Sequence, residues 1–281
     1  MDVSLNRDID KVIILGSGMS ILDLTDEEVR FINRCKSVIA VNKFMAFYER
    51  TGIVPTHVYF VDTSYSSYFF LNHIFDLCCR NNLSNVTFIL SKRMQRRTYK
   101  KTLKKLYLKL VVAVYDFLRF IKRREIDILK ELFEDRKLLF LRDNFKYLYI
   151  KHDDWLKGGE WAYSLHTKLF HYRGSLTTVL NLCAIMFPGN DIFLVGNDFN
   201  GTSYFYEDDL DKLNFKWKDW TYDKIKSEGK HFSFIDYKGT KMTDAFPYII
   251  DCLEKTKNKL YCTNSNSLLV KEGFVDYSSL I

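Results

Sequence analysis

Val12-Ile13-Ile14-Leu15-Gly16-Ser17-Gly18-Met19-Ser20 sets a short apolar run directly against a glycine-rich turn, and a helical pattern follows over residues 25–34. A strand of a parallel sheet, buried on both faces, is written as such a continuous apolar run. When it ends in glycine, backbone N–H groups can converge with no Cβ in the way, beside a helix N-terminus that favours anions. Gly16, Ser17, Gly18 and Ser20 are therefore candidate phosphate-binding residues, the serines adding hydroxyl donors. The turn lacks the third glycine of the dinucleotide fingerprint and the Lys-Ser/Thr of a P-loop. Taken alone, it is equally well a plain structural turn.

A second junction of the same kind lies downstream. Arg173 opens a helical segment from Gly174 to Phe187, which leads into Ile192-Phe193-Leu194-Val195 and then Gly196-Asn197-Asp198-Phe199. In an open α/β sheet, ligands sit beyond the carboxyl ends of the strands, so the two junctions can face one crevice. Gly196 and Asp198 join the candidate set, since a ribose diol needs acceptors for two hydroxyl protons.

The rest of the chain alternates strands and helices in the manner of a Rossmann-like, mostly parallel sheet flanked by helices. Strands are expected at 11–15, 37–41, 57–61, 86–90, 137–141, 191–195 and 259–262, and helices at 25–34, 64–80, 95–133, 175–187 and 243–257. The third strand ends at Asp62-Thr63-Ser64, another polar group at the carboxyl edge. With 281 residues, 47% of them hydrophobic, the chain can bury a substantial core, and one domain spanning 1–281 is expected. No apolar stretch approaches the ~20 residues that span a bilayer, and the first eight residues are too polar for a secretion signal. The six cysteines show no paired metal spacing, which favours reduced core thiols in a cytoplasmic protein.

These blocks resemble the bacterial sialyltransferases of glycosyltransferase family 42. That family has Gly-Asn-Gly-Pro-Ser after its first strand, where this chain has Gly16-Ser17-Gly18-Met19-Ser20. Asn42, ending Ile39-Ala40-Val41-Asn42, matches the asparagine that closes the family's next strand. The family's Arg-x-Thr-Ser-Gly helix start, strand and Gly-x-Asp-Phe are similar to Arg173 through Phe199 without a gap, with Ser175-Leu176-Thr177 at the helix start. Lys259-Leu260-Tyr261-Cys262 and Asn266-Ser267-Leu268-Leu269 resemble its last core strand and loop. The likeness covers roughly a third of the chain, and residues 64–172 have no counterpart in it.

The resemblance implies a GT-A-like variant of the fold and a CMP-sugar donor, bound by Gly16, Ser17, Gly18, Ser20, Asn42, Asp62, Ser175, Gly196 and Asp198, with no cofactor and no metal. It also implies a lid after Asp198 that closes over the donor. Residues 199–240 fit that description, being aromatic, charged and poor in aliphatic side chains. The family's phosphate tyrosines correspond to Tyr204, if two residues are deleted, and to Asn200, whose place Tyr206 can take. The family's base is a lid histidine, and the lid histidine here is His231; His171, close to Arg173, is the alternative. Arg173 can pair with a carboxylate of donor or acceptor, or simply form a surface ion pair. The acidic clusters at 152–154 and 207–209 fit solvated loops better than an Asp-x-Asp metal motif.

Charge is distributed unevenly. Residues 92–124 carry thirteen Lys and Arg against the single acid Asp116, and Leu103, Leu106, Leu110, Val114 and Phe117 recur there at helical spacing. A basic amphipathic helix suits an anionic membrane surface, so 92–135 is expected to be a helical insertion. The combined expectation is a metal-independent, inverting transferase at the inner membrane, moving sialic acid or a related nonulosonic acid from a CMP donor to a cell-surface glycan or glycolipid of the lipopolysaccharide or capsule type. Its oligomeric state is left open. Two alternatives stand beside it. One is a Mg²⁺-dependent diphosphate-transferring enzyme similar to the pterin pyrophosphokinases, with Asp62 and Asp198 as metal ligands. The other is a nucleic-acid-binding module using the basic helix, although no base-reading motif is present and no nucleic-acid partner is expected.

Overall fold

The computed structural model describes residues 6–62, 65–92, 94, 144–200, 203–213, 231–236 and 239–281. The helix expected over 95–133, the strand over 137–141, nearly all of the basic segment and the aromatic residues Phe215, Trp217, Trp220, Tyr222 and Tyr237 lie outside them.

Eight strands form one sheet in which every pairing is parallel. They are β1 (Ile9–Leu15), β2 (Cys35–Val41), β3 (His57–Phe60), β4 (Thr87–Ser91), β5 (Lys146–Ile150), β8 (Ile192–Val195), β9 (Leu260–Cys262) and β10 (Asp276–Tyr277). Across the sheet they run β10-β9-β8-β1-β2-β3-β4-β5. β6 (His152–Asp154) and β7 (Leu169–His171) make a separate parallel pair. Only Lys151 separates β6 from β5, so this small ribbon starts at the carboxyl end of the sheet's edge strand.

Side chains alternate across the sheet with period two. Ile13, Leu15, Val38, Ala40, Val58, Phe60, Phe88 and Leu90 enter one core, together with Ile32 of α1 (Asp26–Arg34) and Phe70, Ile74 and Phe75 of α2 (Tyr65–Arg80). Val12, Ile14, Ile39, Tyr59, Ile89 and Leu194 enter the other, covered by α3 (Ser175–Met186), α4 (Phe246–Lys255) and α5 (Leu268–Lys271). Residues 176–184 of α3 are all buried, as expected of a helix that is apolar nearly all round. α1 begins with a Thr25/Glu28 capping box, and α4 has a proline in its first turn.

All six cysteines are free thiols, and only Cys79 is exposed. Burial pushes the thiols of Cys35 and Cys78 up to about 11 and about 12, which makes them poor nucleophiles.

Candidate active site

Between β1 and β8 the sheet changes direction. From β1 the chain adds strands towards β5; from β8 it adds them towards β10. Such a switch point leaves a crevice outside the carboxyl ends of the two strands, and both glycine junctions lie there.

The first loop is fixed against the second. Gly16 N–H donates to the Val195 carbonyl at 2.8 Å and Gly18 N–H to the Gly196 carbonyl at 2.7 Å. A Cβ on Gly16 would lie 2.3 Å from Gly196 O, and one on Gly18 2.3 Å from Asp198 Oδ2. The glycines serve this close approach. The N–H groups expected to converge on a phosphate are instead donated to the end of β8.

Asp198 is the clasp. Its Oδ2 accepts Ser20 N–H at 2.9 Å, and its Oδ1 accepts the Ser20 hydroxyl and the Asn264 amide, the latter at 2.8 Å. The residue is 6% exposed, and its carbonyl accepts Leu268 N–H at 2.9 Å. The carboxylate offered by the sequence as a ribose acceptor thus joins three loops from inside. Asn264, and Ser267, which donates to the Asn197 carbonyl at 2.7 Å, were not among the expected site residues. Their signal is a third strand-to-polar junction, Cys262-Thr263-Asn264, after β9.

The second group of residues lies over β2. Asn42 has a left-handed backbone (φ 55°), and its amide donates to Ser175 Oγ at 3.2 Å. Its Oδ1 is buried and has no hydrogen-bond partner. Ser175 begins α3, whose N-cap, Gly174, supplies no side-chain cap, leaving backbone donors of the first turn uncapped by a side chain. Arg173 is also left-handed (φ 57°) and donates through Nη2 to the Ile235 carbonyl at 2.9 Å. Phe199, after β8, is a third left-handed residue (φ 58°). Non-glycine residues rarely adopt this conformation, which costs ~1–3 kcal/mol and gathers at functional sites. The other two, Asn82 and Lys257, close the C-terminal ends of α2 and α4, where left-handed caps are ordinary.

The segment after Asp198 divides into two described parts. Tyr204 bridges to Gly18, and Phe205 N–H donates to the Ser17 carbonyl at 3.1 Å. Phe205, Tyr206 and Leu210 are buried in the core, with Tyr206 stacked on Phe47 at 4.5 Å. Arg50 and Asp209, 3.0 Å apart, tie this stretch to the 3-10 turn Asn42–Arg50. The beginning of the expected lid is therefore core, and Tyr206 packs rather than standing over the crevice. Further along, His231 N–H donates to the Phe199 carbonyl at 3.1 Å, and its ring lies 5.4 Å from Phe199 and 6.5 Å from Tyr204. Ser233 N–H donates to His231 Nδ1 at 3.2 Å, which assigns the proton of the neutral ring to Nε2. Ser233 Oγ also lies 3.4 Å from the Arg173 carbonyl, so this segment touches both groups of residues.

The remaining candidates lie further out. Asp62 is exposed at the end of β3, two strands from β1. His171 Nδ1 meets Thr178 Oγ1 at 2.9 Å; burial first, then the neighbouring His152, lower its pKa to about 4. Asp153 and Asp154 stand on β6, where Asp153 pairs with Lys168 at 2.6 Å and Asp154 accepts Leu156 N–H at 3.1 Å. Among the described residues, no group of three or more His, Cys, Asp or Glu is placed to hold a metal ion, and no helix is long and apolar enough to cross a membrane.

No protein-family model matches the chain, and no curated protein matches it. Among solved structures, a variant of the sialyltransferase CST-II in complex with CMP is similar to this chain, with 18% sequence identity and a TM-score of 0.41 over 95% of this chain and 86% of that one.

Proposed function

We propose that this chain is a glycosyltransferase of the sialyltransferase kind, moving an acidic sugar from a CMP donor to a glycan acceptor. One observation carries the proposal: at the carboxyl edge of β2, beside the switch point, a buried and unpartnered acceptor, Asn42 Oδ1, lies beside a helix N-terminus without a side-chain cap. An acceptor of that kind suits an amino or hydroxyl donor of a nucleoside, and the first turn of α3 suits the phosphate. Arg173 lies beside that turn, its guanidinium held on the Ile235 carbonyl, and a guanidinium fork there suits a carboxylate on the sugar.

In the transfer, the acceptor hydroxyl oxygen bonds to the anomeric carbon as the bond from that carbon to the phosphate oxygen breaks, and the electron pair leaves on CMP. The N-terminus of α3 and the Tyr204 hydroxyl offset the charge that develops there. His231 receives the acceptor proton. The acceptor lone pair of the neutral ring is on Nδ1, where it accepts Ser233 N–H at 3.2 Å, so that step requires this contact to open.

Thermal-shift titration with CMP, CDP, UDP, GDP and ATP, with and without Mg²⁺, tests the proposal, because ligands that bind only the folded state raise its apparent stability. CMP is expected to give the largest shift, unchanged by chelation of divalent ions. Preference for UDP or GDP with strict dependence on Mg²⁺ would remove it.

A further inference from the structure

A cavity of about 450 Å³ opens on the loop between β6 and β7, lined by residues 153, 158–164, 167 and 168. None of them belongs to the crevice. The loop is held open by scaffold bonds. Asn181, fully buried in α3, accepts Ala162 N–H at 3.2 Å and Phe170 N–H at 2.8 Å, and donates to the Ala162 carbonyl at 2.7 Å. Trp161 N–H donates to Tyr248 Oη at 3.1 Å, and Gly159 N–H to the Asp154 carbonyl at 3.0 Å. A Cβ on Gly159 would lie 2.8 Å from Asp153 O, so this turn admits only glycine without a shift. A site fixed in this way loses little freedom when it fills.

The wall has a distinctive chemistry. Tyr163 is 62% exposed, a large aromatic face turned towards solvent. Trp161 is 5% exposed, and its indole N–H is buried without a hydrogen-bond partner. Leaving such a donor unsatisfied is costly, and a ligand oxygen reaching the ring edge would recover that cost. Of the charged groups, Asp153 is already paired with Lys168 at 2.6 Å, which leaves Glu160 as the excess charge. A wall with one surplus negative charge disfavours phosphates and acidic sugars. An aromatic face, an indole donor and a carboxylate acceptor together match a neutral pyranose, which has apolar C–H faces and hydroxyls that both donate and accept. The volume lies in the range of small-ligand sites, ~300–1,000 Å³.

We propose that this cleft binds a neutral oligosaccharide, one sugar ring on Tyr163 and a hydroxyl oxygen on Trp161 Nε1–H. The proposal does not rest on the nucleotide crevice, but the same helix serves both. Ser175 faces the crevice and Asn181 holds the cleft, six residues and ~9 Å further along the axis of α3. A glycan bound here would extend along the helix towards the transfer site.

The test is calorimetric titration of the full chain with lactose, chitotriose and maltotriose, with their sialylated or sulfated counterparts, and with a lysine-rich peptide. At least one neutral sugar is expected to bind more tightly than any charged probe. Tyr163→Ala should weaken that binding at least about tenfold, a loss that fits removal of a stacked aromatic partner. Trp161→Phe, which keeps a ring and removes the N–H, should weaken it by roughly three- to tenfold. Glu160→Gln should abolish any peptide binding. No neutral sugar binding at millimolar concentration, affinity untouched by Tyr163→Ala, or preference for the anionic sugars or the peptide would each overturn the proposal. CMP shifts are read separately, so failure here leaves the nucleotide proposal standing, and the converse also holds.

Discussion

Ser20 gives both its backbone N–H and its hydroxyl to the carboxylate of Asp198, 178 residues further along the chain. Those two bonds, with the one from Asn264, make Asp198 a brace for the loops around it. Asp198→Ala should therefore lower both stability and nucleotide affinity. Three part-buried donors lose their acceptor, each worth ~1–3 kcal/mol when fully buried, so urea unfolding should show a loss of about 2–5 kcal/mol. A weaker CMP shift with unchanged unfolding would identify Asp198 as a ligand contact instead.

Asn42→Gly separates backbone from chemistry. Glycine tolerates the φ of 55° better than asparagine does, so the variant should be about as stable as the parent. It loses the unpartnered Oδ1, and CMP affinity should fall roughly tenfold, the worth of about one well-made hydrogen bond. Full affinity in a stable variant would reduce Asn42 to a turn residue.

For His231, alanine should cost roughly 10²–10⁴-fold in turnover and leave CMP binding nearly intact. The pH profile then distinguishes base from donor. A base must be neutral, so kcat/KM should fall on the acid side; a rate that instead falls on the alkaline side would mean that the imidazolium is required and that His231 gives up a proton instead of taking one.

Two half-buried histidines govern acid stability. His57 and His171 are each lowered to about 4, chiefly by burial, and then by the positive Arg7 for His57 and by His152 for His171. In the unfolded chain each titrates near ~6.5. Below that pH the unfolded chain takes up protons that the folded protein refuses, so stability is complete above ~6.5 and is lost as pH falls towards 4. Between pH 7 and pH 5 each should contribute a loss of about 2 kcal/mol. Urea melts of His57→Gln should show a shallower acid slope than the parent; identical slopes would dismiss this histidine as the cause.

The basic segment gives a prediction from sequence alone. Neutralising Lys100, Lys101, Lys104 and Lys105 should release the protein from anionic vesicles, each charge contributing ~1 kcal/mol at low salt. Salt-sensitive binding to nucleic acid, with none to vesicles, would turn the segment to a different partner.

Both strand-to-glycine junctions were legible because a doubly buried parallel strand leaves an unbroken apolar run and the loop after β1 admits no Cβ. The same letters concealed which way the N–H groups of Gly16 and Gly18 point, since a glycine that cradles a ligand and one that lets two loops touch look identical. Asn264 shows locally only as a strand-to-polar junction, because the partner that gives it its role is 66 residues away. β5, Lys146-Tyr147-Leu148-Tyr149-Ile150, is an edge strand whose half-buried tyrosines weaken the apolar run. β6, written His-Asp-Asp, reads as solvated loop in the sequence, yet a three-residue ribbon needs no apolar signal of its own when Asn181 holds its partner strand.

The brace across the switch point also sets the order in which the protein can come into being. Ser20 and Ser17 wait on Asp198 and Phe205, and Asp198 in turn on Asn264 and Leu268. A chain emerging from the ribosome can pair β1, β2, β3 and β4 early, yet its crevice is not braced until β8 inserts beside β1 and residues 264–268 reach Asp198. Contacts this distant are slow to close. Ligand competence therefore waits on residues 264–268, and truncation shortly before residue 264 should yield a sheet that folds in part and binds nothing.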